Sequence, residues 1–85
     1  MNKNQAIGLL NEIIGTCQSL NIGGFYTRPI RQAPIDSVEL RLITSLDPNS
    51  RKKIARIIQI RGLKMEEENG LVIIYEPIIF PAEQS

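Results

Sequence analysis

Few residues in this chain could do chemistry on their own. It has one cysteine, Cys17, and no histidine in 85 residues. A nucleophilic thiol needs a neighbour that lowers its pKa, and histidine is the usual one. The same imidazole is the commonest general base and metal ligand. A lone thiol also rules out an intramolecular disulfide and any CxxC zinc site. Glu66, Glu67 and Glu68 form a carboxylate run, and two carboxylates can hold a cation. On an extended chain, however, Glu66 and Glu68 share one face and Glu67 takes the other. A solvated charged surface beside a turn is the expected result. No catalytic, cofactor-binding or metal-binding residue is assigned, so the expectation is a non-enzymatic protein without a cofactor.

Two groups could recognise a ligand by charge. Arg51, Lys52 and Lys53 crowd the start of a helix, where each cation opposes the helix dipole by about 0.3–1 kcal/mol. Arg56, four residues beyond Lys52, extends the basic face. Free amides and clustered cations suit a phosphate or a nucleic-acid backbone. Phe25, Tyr26, Arg28 and Arg31 mix rings and guanidinium groups, as base-stacking surfaces do. The candidate anion or nucleic-acid set is therefore Arg28, Arg31, Arg51, Lys52, Lys53 and Arg56. Against it, 10 basic and 9 acidic residues leave a net charge of only +1, which gives no bulk attraction to nucleic acid. There is also no glycine-rich phosphate loop.

These residues are positioned by elements that can be read from periodicity. Ala6, Ile7, Leu9, Leu10, Ile13, Ile14, Cys17 and Leu20 recur at helical spacing and predict an amphipathic helix from Lys3 to about Leu20, with Cys17 on its apolar arc. Gly8 and Gly15 fall on the outward side. Phe25 to Arg28 reads as a short strand, and Pro29 to Pro34 as an extended connection. From Ser37 to Ser45 a strand turns Val38, Leu40, Leu42 and Thr44 one way and Glu39, Arg41, Ile43 and Ser45 the other. Asp47-Pro48 is a capped helix start. Ile54, Ile57 and Ile58 form the apolar side of that helix, with Ala55 and Ile60 at its margin, and Gly62 is its stop. Asn69-Gly70 predicts a hairpin pairing Glu67 with Val72, Met65 with Ile74 and Leu63 with Glu76. That register turns Leu63, Met65, Val72 and Ile74 inward.

The order α-β-β-α-β-β predicts an α+β fold. It is a two-layer sandwich in which an antiparallel sheet carries both helices on one face and leaves the other open. Moving the last strand to the front would give an order that resembles the ferredoxin-like architecture, so a circular permutant of that topology is one expectation; such a likeness carries no function. Arg51 through Tyr75 also resembles the recognition helix and wing of winged-helix proteins. Only two helices are visible, though, and Val72-Ile73-Ile74 is too apolar for an exposed wing. The expected division is one domain over 1–77 and a C-terminal tail over 78–85.

Ile43, Leu71, Ile73 and Tyr75 are expected to share the open sheet face, with Ile79 and Phe80 of the tail available to cover it. An apolar patch of that kind marks an interface. The leading expectation is thus a small interaction module that pairs with itself or with another protein through this face. A nucleic-acid or anion-binding module is the alternative. No apolar run approaches the length of a membrane span and the first residues do not read as a signal peptide. With one thiol, the expected location is cytoplasmic and reducing.

Overall fold

A computed structural model describes residues 1–30 and 37–77. The first helix, α1 (Lys3–Thr16), opens with a reciprocal capping box. The Asn2 side chain accepts from the Gln5 amide and the Gln5 side chain accepts from the Asn2 amide, both at 2.8 Å. These bonds satisfy amides that have no partner within the helix. Ala6, Leu9, Leu10 and Ile13 are buried on its inner side. The helix stops at Thr16, a turn short of Leu20, and Cys17 caps it by donating its backbone N–H to the Ile13 carbonyl. Gly15 and Thr16 are both weak helix formers at the point where the periodic pattern alone would continue. Leu20 and Ile22 still pack against the core, from the turn rather than from the helix.

Strands β1 (Gly24–Pro29) and β2 (Val38–Ile43) pair antiparallel, with Phe25 opposite Leu42 and Thr27 opposite Leu40. In β2 the alternation holds: Val38, Leu40 and Leu42 are buried while Ile43 is exposed. Helix α2 (Pro48–Ile60) starts at the Asp47 cap, whose carboxylate accepts from the Ser50 amide at 3.2 Å. It ends in a Schellman arrangement. Gly62 sits at φ +69°, its N–H donates to the Gln59 carbonyl, and the Leu63 N–H donates back to the Ile58 carbonyl. Ile54, Ile57 and Ile58 are buried, whereas Ile60 is 78% exposed and takes no part in the core. Strands β3 (Lys64–Glu68) and β4 (Leu71–Tyr75) close the predicted hairpin, with Glu67 opposite Val72 and Met65 opposite Ile74. Gly70, at φ +73°, supplies the left-handed turn residue.

The sheet order is β1-β2-β4-β3, every neighbouring pair antiparallel. This is the arrangement expected when the first strand of a ferredoxin-like unit is moved to its end. The apolar strands β2 and β4 lie at the centre, and α1 packs over β2 while α2 packs over β3. The core between the layers is built from Leu9, Ile13, Leu40, Leu42, Ile54, Val72 and Ile74. Met1 is also buried, and its carbonyl accepts from the Val38 amide. Among the described residues, the opposite sheet face carries no helix.

Candidate functional site

The six candidate cations do not form one surface. Arg51 binds the Glu67 carboxylate through two hydrogen bonds, and its Nη2 also donates to the Leu46 carbonyl at 3.0 Å. It ties α2 to the edge strand β3. Asp47 places a negative charge at the helix start, and its bonds to Ser50 hold its carboxyl below the usual range. An anion arriving there would meet a carboxylate that already occupies the cap. Lys52, Lys53 and Arg56 are exposed along α2. Arg28 lies opposite Glu39 on β1 and so belongs to the helix-free face, across the sheet from α2. Arg31 lies outside the described residues.

The open face is more ionic than its strand sequences suggest. Ile43 is opposite Leu71 and Arg41 is opposite Ile73. Ile73 is only 8% exposed and Ile43 49%; Leu71 and Tyr75 are half-buried. Ile79 and Phe80 lie outside the described residues. Around these apolar groups runs a set of polar contacts. The Arg41 Nε donates to Glu39 at 2.6 Å, and its guanidinium lies 6.0 Å from the centre of the Tyr26 ring. The Tyr75 hydroxyl donates to Glu66 at 2.8 Å. That bond to a carboxylate, reinforced by burial, raises the phenol pKa above its ordinary value.

Between these side chains lies a cavity of about 410 Å³, with Ile30, Ile73 and Tyr75 as its apolar part and Glu39, Arg41, Glu66, Glu68 and Glu76 around it. Its lining holds four carboxylates and one guanidinium, and Arg28 and Lys64 belong to the same face, opposite Glu39 and Tyr75. Glu39 is committed to Arg41, and Glu76 reaches the N-terminal ammonium group of Met1 at 2.7 Å. Glu66 accepts from the Tyr75 hydroxyl, and Glu68 makes no ion pair among the described residues. Sequence reading turned Glu39 and Arg41 to the side of Ile43 but named neither as a site residue, and it did not place Tyr26 on this face. The alternation that turned Glu39 and Arg41 outward was the available signal. Tyr26 could join them only once β1 was known to lie beside β2.

Cys17 is 3% exposed in the core, and its Sγ is 4.0 Å from the Ser50 carbonyl. Burial pushes the thiol pKa up, against the smaller opposing pull of Lys53 and the Ser50 contact. That is the reverse of what activates a nucleophile. Among the described residues no group of three or more cysteine, aspartate or glutamate side chains is arranged to hold a metal ion. Nor is any helix among them long and apolar enough to cross a membrane. Comparison with known proteins gives no match to a protein-family model, to a curated protein or to a solved structure.

Proposed function

We propose that this domain is a non-catalytic protein-interaction module whose helix-free sheet face receives a segment of a partner. The observation that supports this reading is the 410 Å³ cavity on that face, which joins an apolar part at Ile73 to a carboxylate-rich rim. Such a surface suits a partner segment that presents an aliphatic side chain ending in a cation, since the stem and the charge would each meet a matching environment. A buried, unactivated thiol is in keeping with a binding role in a reducing compartment such as the cytoplasm. Titrating the full chain with lysine- and arginine-rich peptides at two ionic strengths, followed by NMR, tests the reading. Shifts centred on Ile73, Tyr75 and Glu68, weakened by salt and by Glu68→Lys, are expected. Shifts confined to α2, or none at all, would remove it.

The alternative, anion or nucleic-acid binding through α2, retains Lys52, Lys53 and Arg56. The commitment of Arg51 to Glu67 and the negative Asp47 cap make it the weaker reading. Binding of RNA or DNA that falls steeply with salt, and is lost in Lys53→Glu, would reinstate it.

A further inference from the structure

The two edges of the sheet are unlike. On β3 four of the five residues are charged, and charge of this kind protects an edge from pairing with another strand. Strand β1 has one charge, Arg28, and no described strand pairs with its outer side. Its backbone polarity follows from its neighbours. The Ile30 N–H donates to the Ser37 carbonyl, while the Val38 N–H turns away from β1 to the Met1 carbonyl. By antiparallel alternation, Gly24, Tyr26 and Arg28 exchange bonds with β2, and Phe25, Thr27 and Pro29 turn their backbone groups outward.

Apolar surface accompanies this edge. Phe25 is 55% exposed and Tyr26 44%. On α1, Glu12 bonds Arg61 and so marks the flank that faces α2. Ile7 and Ile14 lie roughly 140–160° around the helix from Glu12, on the flank towards β1, and each is 49% exposed.

We infer that two copies of this chain associate through β1, pairing antiparallel about a two-fold axis at Tyr26 to make one continuous eight-stranded sheet. Register selects this axis. With Tyr26 opposite its symmetry mate, Phe25 of each copy faces Thr27 of the other, and every free N–H and C=O of both residues is used. In this register Pro29, which has no N–H, falls opposite Gly23 beyond the end of β1, whereas centring on Thr27 would set it opposite Phe25 and leave the Phe25 carbonyl without a donor. Charge permits the same register: the two Arg28 side chains lie about 13 Å or more apart, each opposite a Gly24, whereas joining two β3 edges would bring like charges together. The area is sufficient for a modest dimer. Four half-exposed apolar side chains contribute roughly 350–400 Å² per copy, and with the backbone of both strands the pair reaches about 1,000 Å², the lower end of specific interfaces. Tyr26 lies against Arg41 of the cavity wall, whereas Phe25 and Thr27 belong to the other face and do not line the cavity, so Thr27→Pro tests the dimer apart from the sheet-face reading.

Sedimentation of the full chain from about 10 μM to about 1 mM should show a monomer–dimer equilibrium. Thr27→Pro removes an outward N–H without touching the β2 ladder, and Tyr26→Lys sets two cations face to face. Each should weaken the dimer by about tenfold or more, while Glu68→Lys on the far edge leaves it unchanged. Tyr26→Cys should cross-link to its mate under mild oxidation, because a non-hydrogen-bonded pair lies within disulfide reach; Arg28→Cys should not. A protein still strictly monomeric at the top of that concentration range would overturn the proposal. So would a dimer that survives both edge variants and gives no cross-link in Tyr26→Cys.

Discussion

Arg51 on α2 and Glu67 on β3 are joined by two hydrogen bonds, Nε to Oε2 at 2.8 Å and Nη2 to Oε1 at 3.0 Å. This fork fixes the start of the second helix to an edge of the sheet, and it assigns to structure a cation that sequence alone offers for ligand binding. Arg51 also lowers the pKa of the Glu67 carboxyl.

The depressed Glu67 and Asp47 carboxyls set an acid limb of stability. A group whose folded pKa lies below its unfolded value contributes stability above the unfolded pKa and loses it as pH falls through the folded one. Melting temperature should therefore fall as pH drops below about 4.5. In Glu67→Gln the neutral-pH value should be slightly lower and the acid decline shallower. Calorimetry from about pH 2 to about pH 7, which spans the ordinary carboxylate values, reads both effects.

Tyr75 titrates in the opposite sense. Its raised pKa favours the neutral phenol in the folded state, so this contribution is complete below the ordinary tyrosine range and is lost as pH rises through the folded value. In a Tyr26→Phe background, ultraviolet titration should follow Tyr75 alone. Glu66→Gln should move its midpoint down towards the ordinary value of about 10; an unmoved midpoint would show that the Glu66 bond is not its cause.

The isoleucines of α2 should separate sharply. Ile54 is fully buried, and Ile54→Ala should cost about 2–5 kcal/mol. Ile60 points into solvent, and Ile60→Ser should change stability by no more than about 0.5 kcal/mol. Urea denaturation measures the difference.

Glycine substitutions should carry opposite signs. Gly62 has room for a Cβ but a φ of +69°, so Gly62→Ala should cost about 1–2 kcal/mol through backbone strain alone. At Gly8, inside α1, an added Cβ would meet nothing within 4 Å. Gly8→Ala should stabilise the fold by about 0.5–1 kcal/mol, with a smaller gain at Gly15 near the helix end. Thermal and urea unfolding of the single variants checks both signs.

The fold was legible wherever a local rule and a buried partner agreed. The Asp47 cap, the Gly62 stop, the Asn69-Gly70 turn and the alternation of β2 each rest on a few adjacent residues, and each stands in the structure. The end of α1 was not legible, because Cys17 and Leu20 face the core whether they sit on a helix or in a turn. Ile7, Ile14 and Ile60 share the composition of core residues. Only the placement of β1 and α2 shows that nothing among the described elements covers them.

Element order, the inward residues of each element and the isolation of the single thiol follow from periodicity and turn chemistry within a few residues, so local sequence was enough for them. Which charges meet is a matter of three dimensions. Arg51 pairs with Glu67 sixteen residues away, Arg28 is cut off from the other described cations of its set by the thickness of the sheet, and Tyr26, Arg41 and Tyr75 come onto one face. Strand order sets those distances, and it is fixed by how the two helices cover β2, β4 and β3 and leave β1 at the edge. No local pattern encodes that choice.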